Sequence, residues 1–145
     1  RLFPSLTVEE NLRIGNHSER RGHWDLQRVY ELFPILEERR ANPGTALSGG
    51  QQQMVAIGRG LMSNPDLILF DEISLGLAPT MIKDIYTVLP RIRAEGTTVV
   101  VVEQDINQAL AVSDRFYCFQ EGRVSLSGRP GEVDRETIKN AYFGV

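Results

Sequence analysis

The sequence predicts an α/β fold, and three observations predict it. Helical periodicities and short apolar runs follow one another as helices, strand, helix, strand, helix, strands, the element order of an α/β layout. Thr97 to Val102 is β-branched and apolar throughout, as expected of a parallel strand covered on both faces. Two apolar runs end in polar groups, Asp71-Glu72 after Leu67 to Phe70 and Glu103-Gln104 after Thr97 to Val102. Open α/β sheets bind ligands beyond such carboxyl ends, so both pairs are expected to face one crevice.

Composition bounds the rest. The 145 residues are one domain's worth, and a hydrophobic fraction of 41% can support a core. Sixteen basic and 19 acidic residues give a net charge of −3, which implies no broad attraction to nucleic acid or anionic lipid. The longest aliphatic run, Val99–Val102, falls far short of the ~20 residues of a membrane span. Cys118 stands alone, which excludes an internal disulfide and fits a reducing compartment. The chain opens on Arg1-Leu2-Phe3 with neither Met nor a signal-peptide pattern, and it reads as a piece of something longer.

Taken in order, Phe3 to Leu6 is an extended lead-in. Thr7 with Glu10 is a capping box that starts a short helix, and Gly15 is expected to end it. Asn16 to Gly22 is polar and basic, a solvated loop rather than a nucleic-acid patch, since the acidic remainder does not support the latter. His17 and His23 have no Cys or third His at zinc-site spacing. Leu26, Val29, Tyr30 and Phe33 form one helical stripe, which Pro34 is expected to stop, leaving Glu37 to Arg40 as a solvent face. A further helix runs to about Ser63, where Asn64-Pro65-Asp66 ends it, so residues 1 to 63 read as a small helical unit and 64 to 145 as α/β core. After Glu72, Ser74 to Pro79 is a tight connection, with Pro79 suited to a first helical position. Ile82, Ile85, Leu89 and Ile92 give the next helix its buried stripe, and Pro90 within it should bend that helix. Asp105 with Gln108 caps Ile106 to Val112. Arg115 to Phe119 and Arg123 to Ser127 form a hairpin, and Asp134 begins a last helix ending at Phe143-Gly144.

The stretch that organises these elements is Leu47-Ser48-Gly49-Gly50-Gln51-Gln52-Gln53. Ser48 followed at the third position by Gln51 is a second capping box, opening a helix whose apolar residues include Met54, Val55, Ile57 and Leu61. Each glycine there costs about 1 kcal/mol against alanine, so the pair has a reason to exist if a ligand must approach bare backbone. A helix start offers free N–H donors and about half a positive charge, and phosphate is its natural guest. The alternative is an ordinary Gly-rich turn, as the carboxylates at the strand ends could alternatively be mere caps of the next element.

Signature-like helix, turn, apolar strand and two carboxylates together resemble the ATP-binding subunit of ABC transporters. Leu47 to Gln52 is similar to the family's signature motif and Leu67 to Glu72 to its Walker B strand. The resemblance implies the later part of a P-loop NTPase-like ABC ATPase domain with a small helical subdomain. It implies that Ser48, Gly49, Gly50 and Gln51 face the γ-phosphate of ATP held by a second ATPase subunit. It implies that Asp71 holds Mg²⁺, usually through water, that Glu72 orients or deprotonates the attacking water, and that Gln104 stands where most members have the switch His. Gln there would sense γ-phosphate by hydrogen bonding but could not gain a proton near neutrality.

Glu103-Gln104 and Ser74-Leu75-Gly76-Leu77-Ala78-Pro79 are similar to the branch of branched-chain amino-acid importers, LivF type. A urea or amide importer is the nearest rival, and a non-enzymatic fragment that pairs with a complete ATPase is the alternative from another class. Implied partners are a second ATPase, transmembrane permease subunits and, indirectly, a periplasmic or extracellular solute-binding protein. The implied location is the cytoplasmic face of the membrane. Ile73 departs from the Pro that usually follows the Glu, which is expected to loosen the connection. No Gly-Lys pair exists, since Lys83 and Lys139 each follow Ile, so there is no Walker A. The chain alone is therefore expected to bind ATP negligibly, to expose apolar sheet surface and to be prone to aggregation.

Overall fold

The computed structural model describes residues 2–18 and 20–144. Glu19, inside the expected Asn16 to Gly22 loop, lies outside the described residues. The chain divides into two compact units, Arg1–Val100 and Val101–Val145.

The first unit begins with α1 (Val8–Ile14), which starts as the capping box requires. Glu10 N–H donates to the Thr7 hydroxyl at 3.2 Å, and Thr7 N–H donates to the Glu10 carboxylate at 2.8 Å. α1 ends at Ile14 with Gly15 as its cap, as expected, but Gly15 is not a left-handed cap. Its φ of −60° is right-handed, and the backbone continues into a 3-10 turn, Gly15–Ser18. Glycine is needed there because a Cβ would run into the carbonyl oxygen of Arg59. Pro34 stops one helix, as expected, and also starts another. α2 (Leu26–Leu32) ends at Phe33, and Pro34 is the first residue of α3 (Pro34–Glu38). A proline at the first helical position loses no helical hydrogen bond, which is why the same residue closes one segment and opens the next.

These elements pack on α4 (Gly49–Leu61). Leu12 from α1, Val29 from α2, Leu36 from α3 and Val55 and Leu61 from α4 are all fully buried. Fully burying such a side chain stabilises by roughly 1.5–3 kcal/mol, so this cluster is the main source of the unit's stability. Gly58 permits the closest approach: a Cβ there would stand 2.7 Å from Val29 Cγ1 and 2.8 Å from Leu12 Cδ2. Asn11, also fully buried, satisfies its side chain on backbone, accepting from Phe3 N–H at 2.9 Å and donating to the Thr7 carbonyl at 2.9 Å.

β1 (Leu67–Asp71) pairs with β2 (Thr98–Val102), and α5 (Pro79–Ala94) lies between them in the chain. Pro79 sits at the start of α5, which continues four residues past Pro90 to Ala94. Neither strand is covered on both faces, and apolar sheet surface is exposed, as expected of this chain alone. Leu67 is 55% and Leu69 62% exposed on β1, and Val100 and Val102 are exposed on β2. Only Phe70 of β1 is buried, because one face alone meets packed side chains and the apolar residues opposite have no cover among the described residues.

In the second unit, α6 (Ile106–Val112) is capped by Asp105, which accepts from Asn107 and Gln108 N–H at 2.9 and 3.2 Å. β3 (Phe116–Gln120) and β4 (Arg123–Gly128) form the antiparallel hairpin, turning through Glu121 and Gly122, both with positive φ. That pair of left-handed residues is the demand of a two-residue type I′ turn. α7 (Arg135–Phe143) starts at Asp134, packs on the hairpin through buried Ile138 and ends at left-handed Gly144.

This packing sets two expected outcomes. Gly58→Val drives a branched side chain into stiff, fully buried neighbours, so urea unfolding should show a loss of about 2–3 kcal/mol, the range for overpacked cores. Light scattering of the purified chain should rise steeply with concentration, and Leu67→Lys with Leu69→Lys should suppress that rise, because charge on an exposed strand blocks edge pairing.

Candidate phosphate-facing site

The first turn of α4 is built by reciprocal bonds. Gln51 N–H donates to Ser48 Oγ at 3.3 Å, and Ser48 N–H donates to Gln51 Oε1 at 3.0 Å. Gln52 adds a third tie, donating from Nε2 to the Leu47 carbonyl at 3.1 Å. Leu47 is buried and anchors the turn from below, while Ser48 and Gly49 are exposed. With its oxygen accepting from Gln51, the Ser48 hydroxyl keeps its own proton to donate outward. The turn thus offers a hydroxyl and backbone donors at the positive end of a helix of 13 residues.

The two glycines are not equivalent. A Cβ on Gly49 would meet only Leu77 Cδ2, at an ordinary 3.6 Å. A Cβ on Gly50 would stand 2.5 Å from Met81 Cε, 2.9 Å from its Cγ and 3.0 Å from its Cβ. Gly49 is open to a guest, whereas Gly50 is buried and its missing side chain makes room for Met81 of α5.

Asp71 is the last residue of β1 and is exposed. Glu72 then leaves the strand with φ 48°, a left-handed conformation that costs a non-glycine residue on the order of 1–3 kcal/mol. Such strain is held where surrounding structure enforces it. Here the Glu72 carbonyl accepts from Leu75 N–H, and the Ser74 carbonyl accepts from Leu77 N–H, both at 3.2 Å. Ile73 is 3% exposed, so this connection is anchored by a buried side chain, against the loosening expected from the missing Pro. Gly76, with φ 74°, completes the turn before Pro79. Among the described residues no group of three His, Cys, Asp or Glu could cage a metal ion. A lone exposed carboxylate suits Mg²⁺, which keeps most of its waters and takes its other ligands from phosphate. Such an ion would neutralise phosphate charge.

Glu103 and Gln104 follow β2 in the second unit, directly before the Asp105 cap of α6. The residue that sequence reasoning missed is Asn64. It has φ 49°, accepts from Trp24 N–H at 2.7 Å and donates to the carbonyls of Trp24 and Arg20 at 2.9 and 3.1 Å. It thereby ties the end of α4 to the segment before α2. The Asn64-Pro65-Asp66 run signalled only a helix end.

The chain is 44% identical, over 99% of its length and 63% of the relative's, to the high-affinity branched-chain amino acid transport ATP-binding protein BraG of Pseudomonas aeruginosa. It is 34% identical to the arginine transport ATP-binding protein ArtM of Bacillus subtilis, over 90% of this chain and 56% of that one. A solved ATP-binding cassette, in a dimeric post-hydrolysis state bound to ADP and Pi, superposes with a TM-score of 0.74 at 31% identity, covering 89% of this chain and 59% of that one. The chain thus spans about three fifths of the length of these relatives. The family profile described as ABC transporter matches residues 1–74, and with just over half of its residues so matched the chain belongs to the ABC transporter family.

Proposed function

We propose that this chain is the later part of the ATP-binding, ATP-hydrolysing subunit of an ABC importer for branched-chain amino acids. It couples hydrolysis at a dimer interface to transmembrane uptake. The observation that carries the reading is the first turn of α4, an exposed Ser48 hydroxyl and an open Gly49 at a reciprocally capped helix start. The cargo class is supported by the higher identity to the branched-chain amino acid relative, 44% against 34% for the arginine one.

In this reading Ser48, Gly49, Gly50 and Gln51 form the donor turn toward the γ-phosphate of ATP carried by a second ATPase subunit. Ser48 Oγ–H and the Gly49 amide donate, Gln51 holds the Ser48 backbone, and Gly50 lets the turn sit close to α5. Asp71 takes Mg²⁺ through water on this chain's own side. Glu72 accepts the proton of the attacking water, and its strained backbone fixes where that carboxylate starts from. Gln104 donates an amide hydrogen bond to the terminal phosphate. The division at residue 63, helical subdomain before and ATPase core after, belongs to the same proposal. So do permease partners, a solute-binding protein acting indirectly, and a peripheral place on the cytoplasmic membrane face. No described helix is long and apolar enough to cross a membrane.

The chain supplies a donor turn and no phosphate loop, so equilibrium dialysis should find negligible Mg·ATP binding to it alone; tight binding would refute the assignment. With the Pseudomonas aeruginosa relative added, sedimentation should show a mixed dimer that forms only with Mg·ATP. Ser48→Arg should abolish that dimer, because the side chain fills the phosphate seat; undiminished association would count against the site. In a complete cassette carrying this stretch, Glu72→Gln should slow turnover by roughly 10²–10⁴-fold and spare ATP binding, the scale of a lost general base. Normal turnover in that variant would remove Glu72 from the role.

A further inference from the structure

α5 contributes a stripe of four residues to a cleft in the first unit. Asp84, Thr87, Val88 and Arg91 are spaced i, i+3, i+4 and i+7, so they share one face of the helix, and all four line the cleft. The break between α2 and α3 lines it too, where Phe33 departs from helical conformation at φ −132° and ψ 78°. Leu32 and Phe33, with Val88 and with Met54 of α4, give the cleft four buried apolar side chains. Asp84, Thr87 and Arg91 are exposed. The volume, about 460 Å³, falls within the roughly 300–1,000 Å³ of small-molecule sites. Neither Asp84 nor Arg91 has an ion pair among the described residues. Thr87 gives its hydroxyl proton to the Asp84 carbonyl at 2.7 Å, so its oxygen has only lone pairs left to offer.

We propose that this cleft binds a free aliphatic amino acid as its zwitterion. The apolar side chains hold no hydrogen-bonding group and suit a hydrocarbon side chain. The Asp84 carboxylate and the Thr87 oxygen are acceptors and suit an ammonium group; the Arg91 guanidinium is a forked donor and suits a carboxylate. The spacing selects a ligand that carries both charges close together. Asp84 and Arg91 are seven residues apart, about 10 Å along the helix. A long helical side chain leans back over the turn before it, so the guanidinium can come within about one turn, ~5 Å, of Asp84. That span fits an ammonium and a carboxylate borne on one carbon. A simple amine or carboxylic acid serves half of the rim, and an interior residue of a peptide carries neither charge. The ligand class is also that of the proposed cargo, yet the cleft's own charges carry the assignment, and it holds whatever the chain transports.

The test is a titration of the full chain with L-leucine, without nucleotide, followed by NMR of carbon-labelled methionine methyl groups. The Met54 methyl should shift saturably, with a midpoint on the order of a millimolar or below, the range for a ligand of about nine non-hydrogen atoms. Met62, which does not line the cleft, should stay in place. Glycine, with no side chain for the apolar residues, should need at least about tenfold more. Arg91→Gln should weaken L-leucine about tenfold or more and leave unchanged the weaker binding of 3-methylbutylamine, the analogue without a carboxylate. Asp84→Asn should weaken L-leucine similarly and spare 4-methylpentanoate, the analogue without an ammonium. Both substitutions are at exposed positions, so thermal midpoints should stay within a few degrees. A Met54 methyl that does not move at about ten times the expected midpoint overturns the proposal. Glycine binding as well as L-leucine overturns it, as does Arg91→Gln binding L-leucine like the unaltered chain, or Met62 shifting as far as Met54. Because no nucleotide enters the measurement, each of these results leaves the ATPase reading untouched.

Discussion

α4 is the constraint on which the rest of the first unit depends, and it is held at both ends by single polar side chains. Ser48 fixes where it begins, through the reciprocal bonds with Gln51, and Asn64 fixes the course of the chain beyond its end. Between these points Gly58 lets α1 and α2 close on it, with Leu12, Val29, Val55 and Leu61 fully buried. The magnitudes divide the labour. A cap contributes typically about 1 kcal/mol, while each fully buried aliphatic side chain contributes roughly 1.5–3 kcal/mol. Burial therefore decides that α4 forms, and the caps decide its register. Register is what the site needs, because one residue of slippage rotates the helix start by about 100° and aims the donors elsewhere.

The parts of this arrangement written in local chemistry were legible in the sequence. Both capping boxes, the Asp105 and Asp134 starts and the Glu121-Gly122 turn depend on residues a few positions apart, and each forms as its spacing requires. Contacts that depend on distant partners were not legible. Gly15 does terminate α1, but in a right-handed conformation, and the reason for its smallness, the Arg59 carbonyl, lies far along the chain. Pro34 reads as a stop, but a proline says only that no helix runs through it from before, and α3 begins there. Asn64 reads as punctuation, and its partners at Arg20 and Trp24 lie more than 30 residues away.

The exposed strands are the same lesson in reverse. The aliphatic character of Leu67, Leu69, Val100 and Val102 states what surroundings these residues are suited to, not what this chain provides. Periodicity cannot separate the two, since a fully apolar strand looks alike whether or not its cover is present. The chain spans about three fifths of the length of its relatives, and these apolar faces lie exposed within it.

The step from extended Asp71 to left-handed Glu72 also explains how neighbouring carboxylates can hold separate duties. In a continuing strand, successive side chains alternate faces, and two adjacent acids would be parted only by the pleat. The left-handed turn at Glu72 breaks that alternation, so the second carboxylate leaves the strand on a course set by the connection to α5, which Ile73 anchors in the core. Asp71 stays with the sheet as the last residue of β1. The other travels with the segment that leads to Leu77 and Met81, beneath the donor turn. An anionic guest near two carboxylates is tolerable only if a cation offsets one of them. The backbone strain at Glu72 lies at the only residue of β1 or its connection to α5 where a non-glycine backbone is left-handed among the described residues, so it is this step that sets the two carboxylates on separate courses.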